Sequence, residues 1–355
     1  VSKALLPFAW LYGLILWTRN WCYDTGIFKT VRVSVPVISV GNMTAGGTGK
    51  TPMVEYLIRY CLSKGKKVAV LSRGYRRKTE GLIAIGAGET SRGTAEMIGD
   101  EPFQIAKKFP DVTVIVEAKR VVSARVAIEK YGADVILLDD GFQHRSLGRD
   151  LDIVMMSGDV PPEQIQMLPA GMRREPLSGL RRSDVLAVSG LKKSGNGIEV
   201  DFKVNETFGE HTANFPLQKG IRIEVNTVPL GLHSIFGNET VAWNLLKGKA
   251  CVAFSGIANP ERYEKCLYSL GLKVKDFIRF PDHHSYSGND LRKIQDSVTK
   301  HKPEFVISTE KDSVRLYDCT EMDQSLKERL FFLEIEMCVS NGEDEFKSVL
   351  DRVIK

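Results

Sequence analysis

Lys50 and Thr51 stand at the end of a glycine-rich turn and at the start of a run with helical periodicity. The residues before the turn, Val35-Pro-Val-Ile-Ser-Val40, are apolar and largely β-branched, as a buried strand requires. Strand, glycine turn and helix in that order make a phosphate cradle. Glycines let backbone N–H groups curl around oxyanions, and the helix N-terminus adds its positive end. Thr44, Ala45, Gly46, Gly47, Thr48 and Gly49 would wrap the phosphates of ATP. Lys50 would reach the β- and γ-phosphates, and the Thr51 hydroxyl would ligate Mg²⁺. The generic pattern has glycine six residues before the lysine; Thr44 stands there, and Gly46, Gly47 and Gly49 supply the flexibility.

Phosphoryl transfer further requires a metal carboxylate and a group to take the acceptor's proton. Ala133-Asp-Val-Ile-Leu-Leu-Asp139-Asp140 is an apolar strand ending in acids, the Walker B arrangement. It makes Asp139 the Mg²⁺ candidate, with Asp140 either meeting the metal through water or orienting a basic residue. Gly141-Phe-Gln-His144 sets an amide and an imidazole beside them, and His144 is either functional or a structural hydrogen bonder. Asp100-Glu101 occupies a glycine-flanked loop, the setting of a functional carboxylate or of a solvated one. Phe280-Pro-Asp-His-His-Ser285 follows a strand, and its tandem histidines suit a metal site or a proton relay. With no third ligand nearby, the relay is the better reading. A carboxylate from one lobe and an imidazole from another would meet on closure, which excludes water.

Alternating strands and helices must position these groups. Met53, Val54, Leu57, Ile58 and Cys61 predict a helix over 51–62, followed by a strand at 68–71. Strands follow at 112–116, 133–140, 152–156 and 184–189, with a helix over 119–131, while 87–99 reads as a loop. The rhythm breaks over 201–236, where strand-like runs at 202–204 and 221–228 are joined by turns. A second βα pattern has strands at 250–256, 273–280, 305–308 and 330–335, with helices after Pro260, from Gly288 and over 343–354. The expected fold is α/β. A P-loop NTPase-like parallel sheet lobe (31–200) and a smaller α/β lobe (249–355) are joined by a β linker (201–248), with a cleft between the lobes.

The net charge of +5 is too weak to imply nucleic acid. The basic residues cluster, with Arg73, Arg76, Arg77 and Lys78 in one loop and Arg173, Arg174, Arg181 and Arg182 in another. Such clusters suit a phosphorylated partner or an anionic membrane surface. The six cysteines show neither C-x-x-C nor zinc spacing, which points to a reducing compartment. From Ala4 to Thr18 there is no charge, and Trp10, Tyr12, Trp17 and Trp21 are interfacial residue types. The run is shorter than the ~20 residues of a spanning helix. No small-residue cleavage site follows, and an ATP site needs the cytosol, so a signal peptide is disfavoured. A helix within 1–30 lying in the membrane interface is the reading adopted, with a buried core helix as its alternative.

Val40-Gly-Asn-Met-Thr-Ala-Gly-Gly-Thr-Gly-Lys-Thr-Pro52, Ser72-Arg-Gly-Tyr75, Gly99-Asp-Glu-Pro102, Leu138-Asp-Asp-Gly-Phe-Gln-His144, Arg174-Glu-Pro176, Phe254-Ser-Gly-Ile-Ala-Asn-Pro260, Asp282-His-His284 and Ser308-Thr-Glu-Lys-Asp312 occur in that order. Together they resemble the tetraacyldisaccharide 4'-kinase family, and Asp-Asp-Gly-Phe-Gln-His is the most specific marker. The resemblance runs from about residue 5 to beyond residue 315, and Thr44 is normal within it. It implies ATP/Mg²⁺-dependent phosphorylation of the 4'-hydroxyl of tetraacyldisaccharide 1-phosphate, a lipid A precursor. It further implies a peripheral monomer on the cytoplasmic face of the bacterial inner membrane, with no nucleic-acid partner. By the same resemblance Asp100 is the base facing the sugar hydroxyl and His283 pairs with it. Lys50 is the phosphate lysine, and Thr51 and Asp139 belong to the magnesium site. Asn42, Tyr75, Arg120, Gln143, His144, Arg174 and Glu175 match positions near the head group, nucleotide or metal. One departure is Met172-Arg173, where the family usually has Pro-Leu before Arg-Glu-Pro. Two other readings predict different acceptors: a membrane-docked ATPase switch uses water, and a soluble-sugar kinase needs no lipid surface.

Overall fold

The computed structural model describes residues 3–89, 93–158, 165–189, 220–317, 319 and 322–355. The apolar runs become strands of one mixed sheet. Its first part is β1 (Val37–Asn42), β2 (Val68–Ser72), β3 (Ile83–Ile85), β4 (Thr113–Val116), β5 (Val135–Asp139), β6 (Leu151–Ser157) and β7 (Val185–Ser189). The rest is β8 (Ile221–Ser234), β9 (Thr240–Ala242), β10 (Ala250–Ser255), β11 (Lys273–Arg279), β12 (Phe305–Thr309) and β13 (Leu330–Asn341). The order is β11-β10-β12-β13-β8-β7-β6-β1-β5-β2-β4-β3, with β9 beside β8. β1, β2 and β5 are buried along their whole length, which is why they lack alternation.

The helices are α1 (Leu6–Asp24), α2 (Lys50–Ser63), α3 (Ala95–Ile98), α4 (Asp100–Lys108), α5 (Arg120–Glu129), α6 (Pro260–Ser269), α7 (Gly288–His301), α8 (Glu310–Leu316), α9 (Gln324–Lys327) and α10 (Glu343–Val353). α2 buries Met53, Val54, Leu57, Ile58 and Cys61 against the sheet, the stripe expected from its spacing. Parallel crossovers place the loops after β1, β2 and β5 on one carboxyl edge, where open α/β sheets hold ligands.

Three local expectations change. The segment 87–99, read as loop, contains α3, and β3 lies just before it; both are too short for a periodic signal. The strand read at 221–228 continues to Ser234, because Pro229 falls opposite Ile335 beside a register shift, where a missing N–H is tolerated. Its partner β13, read to Ile335, continues to Asn341. These two strands pair antiparallel, while β8 also pairs parallel with β7, so one ladder runs through both halves. The strand-like run at 202–204 lies outside the described residues.

Among the described residues no helix is long and apolar enough to cross a membrane. α1 lies against the molecule through Tyr12, Arg19 and Asn20. Phe8, Trp10, Leu11, Leu14, Ile15, Trp17 and Trp21 are exposed along the rest of it.

Candidate active site

The phosphate loop is shaped by glycines that need left-handed backbone: Gly46 has φ +118° and Gly49 +86°. Gly49 is the cap residue of α2 and has no side chain to occupy the helix's first amides, which suits an anion. A Cβ on Gly49 would lie 3.2 Å from Met337 Cε as well as forcing that φ. Gly49→Ala is therefore expected to flatten the loop and weaken ATP binding about tenfold, as the ~1–2 kcal/mol cost of left-handed backbone implies. Calorimetric titration with ATP checks this, and an unchanged Kd would disconnect the loop from the phosphates. Behind the loop, buried Asn42 donates from Nδ2 to Thr48 Oγ1 at 3.0 Å, so it braces the turn from the protein side.

At the end of β5, Asp139 accepts from Ser72 Oγ at 3.2 Å. Burial, helped by the charge of Asp140 and opposed by Lys50, pushes Asp139 up to about 6. Asp140 lies 3.4 Å from Lys50 Nζ and takes 2.8 Å bonds from Arg174 Nη1 on both oxygens. Burial would raise its pKa, but Lys50 and Arg174 outweigh burial and hold it low. Thr51 follows Lys50 at the start of α2, and Lys50 reaches Asp140 beside Asp139, so Thr51, Asp139 and Asp140 would offer a metal only oxygen donors. Such a set fits Mg²⁺, which takes one or two carboxylates and completes its shell with water and phosphate oxygens. Among the described residues no group of three or more His, Cys, Asp or Glu is arranged to hold a metal by itself.

The sequence-expected pair comes together across 183 residues: His283 Nδ1 is 2.9 Å from Asp100 Oδ2. Asp100 opens α4 directly after Gly99, whose φ of +94° turns the chain beside Gly74 and Tyr75 at the end of β2. Burial would raise the Asp100 pKa, but donors from His283 and Arg315 win and bring it to about 2. Arg315 Nη2 bonds the same Oδ2 at 2.6 Å, and Lys311 Nζ lies 2.9 Å from His283 Nε2. Sequence reasoning assigned neither residue a role. The signal available was their i, i+4 spacing on α8, directly after a parallel strand. His284 instead stacks on Phe280 with centroids 4.8 Å apart. Of the four described non-glycine residues with positive φ, Arg76, Asp140 and His283 lie here, the strain typical of working sites.

The remaining candidates divide into exposed and buried. Tyr75 is exposed and makes a T-shaped contact with His283, ring centroids 5.7 Å apart. Gln143 donates to Asn42 O and to Glu175 Oε1, both at 2.9 Å. Glu175 is buried and also accepts from Arg182 at 2.9 Å, so its carboxylate ties loops together. Arg120 is buried and donates to Glu117 O at 2.6 Å. Burial and the charges of Arg120, Arg149, Arg19 and Arg73 push His144 down to about 4, so its ring is neutral. α1 touches this group: Tyr12 Oη donates to Arg174 O at 3.0 Å, and Arg19 Nη2 to Gln143 O at 2.6 Å.

The model of the tetraacyldisaccharide-1-P 4'-kinase family matches residues 1–355. The chain belongs to this family. A tetraacyldisaccharide 4'-kinase from Syntrophus aciditrophicus is 38% identical over 92% of this chain and 86% of its own length. One from Phocaeicola vulgatus is 36% identical over 97% and 93%. The fold matches the crystal structure of "apo" form LpxK from Aquifex aeolicus in complex with ATP, with a TM-score of 0.77 and 33% identity over 99% of each chain. The kinase-family departure at Met172-Arg173 has a simple structural setting. Ala45 N donates to Met172 O and Arg174 N to Met43 O, both at 2.7 Å, so backbone hydrogen bonds lace this segment to the phosphate loop.

Proposed function

We propose that Asp100, held by His283, takes the proton from the 4'-hydroxyl of tetraacyldisaccharide 1-phosphate as the γ-phosphoryl group of ATP is transferred to it. The chain is an ATP-dependent kinase of lipid A biosynthesis, and the observation that carries the site reading is the Asp100–His283 contact at 2.9 Å beside a phosphate loop. Both His283 and Arg315 bond Oδ2 of Asp100, and no described residue bonds Oδ1, which leaves that oxygen for the acceptor hydroxyl. Lys50 would draw charge from the phosphates, and Thr51, Asp139 and Asp140 would hold Mg²⁺, which when bound would supply further neutralisation of phosphate charge. Arg174 pairs with Asp140 here and is placed to exchange that partner for a phosphate. Arg19, Arg73, Arg120 and Arg149 form a positive field around neutral His144, which supports an anionic head group near Tyr75, Gln143 and His144. Asn42 and Glu175 act from behind by fixing the loops. Residues 31–200 thus hold the nucleotide, and 249–355 supply the groups that orient the base.

The exposed apolar face of α1 supports peripheral docking of a monomer on the cytoplasmic leaflet, the acyl chains staying in lipid while the sugar enters the site. Replacing Trp10 and Trp17 together by Glu is expected to lower partition onto vesicles at least about tenfold, since burying one such ring gains roughly 1.5–3 kcal/mol. Sedimentation with anionic vesicles measures it, and unchanged partition would remove α1 from the membrane.

The decisive experiment is transfer from γ-labelled ATP with Mg²⁺ to tetraacyldisaccharide 1-phosphate in detergent micelles. Label on the lipid is the expected result. Release as free phosphate, indifferent to lipid, would replace the kinase by a hydrolytic switch.

A further inference from the structure

We propose that Lys311 is a positioning residue that fixes His283 in the tautomer bearing its proton on Nδ1, and thereby directs the imidazole N–H onto Asp100. The proposal rests on the reading of Asp100 as the proton acceptor. Lys311 Nζ is 2.9 Å from His283 Nε2. An ammonium group has three donors and no lone pair, so at that distance Nε2 must be the accepting nitrogen. The ring proton then sits on Nδ1 and is donated to Asp100 Oδ2 at 2.9 Å.

The opposite tautomer has a place in the same geometry. Arg315 Nη2 lies 3.3 Å from His283 Nδ1 and is also only a donor. With the proton moved to Nε2, Nδ1 would accept from Arg315 and turn its lone pair toward the Asp100 carboxylate. The imidazole would then repel the group it is meant to hold. Arg315 tolerates either state, whereas Lys311 tolerates one, because an Nε2–H would point at its ammonium. Lys311 is itself held by the acids flanking the pair: Glu101 Oε1 at 3.1 Å, next to Asp100, and Asp282 Oδ1 at 3.9 Å, next to His283. The His283 backbone, with φ +60° and its N–H given to Gly256 O at 3.0 Å, fixes where the ring starts, and Lys311 decides its protonated side.

Two measurements on the full chain test this. Long-range ¹H–¹⁵N spectra of histidine-labelled protein report which ring nitrogen is protonated, with His283 assigned by its loss in His283→Gln. The wild type should show protonated Nδ1 and bare Nε2. Lys311→Met should move His283 toward protonated Nε2 and lower kcat at least about tenfold, with KM for ATP unchanged, as loss of imidazole orientation implies. Lys311→Arg, still a pure donor, should keep the wild-type spectrum and recover part of kcat. A wild-type His283 protonated on Nε2, or a Lys311→Met spectrum identical to wild type, overturns the proposal whatever happens to the rate. Failure of the wild type to phosphorylate the disaccharide would strike the Asp100 reading instead, and the nitrogen spectra would still decide the tautomer.

Discussion

Asp100→Asn is expected to abolish most phosphoryl transfer, by about 10²–10⁴-fold in kcat, while ATP binds as before. The amide keeps the size of the side chain and one carbonyl acceptor, so what is lost is the negative charge and the place for a proton. Asp100 lies on α4 rather than in the phosphate loop, which is why nucleotide affinity should survive. A carboxylate brought to about 2, burial being outweighed by His283 and Arg315, is a weak base. That suits a loose transition state, in which the hydroxyl becomes acidic only as its bond to phosphorus forms. The pKa also predicts a stability effect with a definite sign. The folded value is below the ordinary 3.8, so the stabilisation is complete above pH ~4 and is lost as pH falls through about 2. Chemical denaturation across pH 2–4 should show the wild-type advantage over Asp100→Asn shrinking by about 2 kcal/mol. A variant with near-normal kcat would end the base assignment.

The largest stability loss is expected from Lys108→Met, about 3–5 kcal/mol. Lys108 Nζ meets Glu55 at 2.9 Å, Glu310 at 2.9 Å and Glu334 at 3.2 Å, and its side chain is 12% exposed. Glu55 also receives Gln104 at 3.0 Å and Arg59 at 3.6 Å. Arg59 reaches Glu336 at 3.1 Å, and His233 lies 2.7 Å from Glu334. Methionine retains the aliphatic stem, so the change isolates the charge that three carboxylates share. Burial and the neighbouring Glu55, opposed by Lys108, push Glu310 up to about 8. The folded protein therefore holds a proton more tightly than the unfolded chain between pH 4.5 and 8, and stability falls as pH rises through that window. Without Lys108 the Glu310 carboxyl should keep its proton past pH 8. Glu55 and Glu334, left without their counter-charge, should favour their neutral forms too, so the deficit is expected to be larger near pH 8 than near pH 5. Urea midpoints at both pH values measure this, and adding Glu310→Gln should restore part of the loss. A deficit below about 1 kcal/mol, flat with pH, would show the cluster to be well solvated.

Positions whose structural setting is local were legible in the sequence. Gly49, Lys50 and Thr51 fall within one turn, where Gly49 caps the helix that Lys50 begins, and Asp139 ends the strand whose apolar run announces it. Asp100 was singled out by its glycine-flanked setting, which the fold turns into the first residue of α4, and His283 by its place after a strand; their pairing came from resemblance, since nothing in the intervening chain encodes a 2.9 Å contact. Lys311 and Arg315 escaped because a charged pair at i, i+4 on a short helix looks like any solvated face until the fold supplies its partners. Asn42 and Glu175 stand in the right motifs, but only the fold shows them turned inward, bracing loops. The full lengths of β8 and β13 were hidden because their ladder joins segments about a hundred residues apart, across a proline that reads as an end.

That ladder also orders events during synthesis. Met337 and Val339 of β13, with Phe346 and Leu350 of α10, share a core with Ile38, Val54 and Leu57 of the nucleotide half. Tyr60 on α2 bonds Lys347 O, 287 positions later. The phosphate loop's helix thus has an unfinished apolar flank while the ribosome is still making the second half. On the emerging chain, ATP affinity should arrive late and abruptly, with residues 330–354, and nascent chains arrested before them should depend on chaperones.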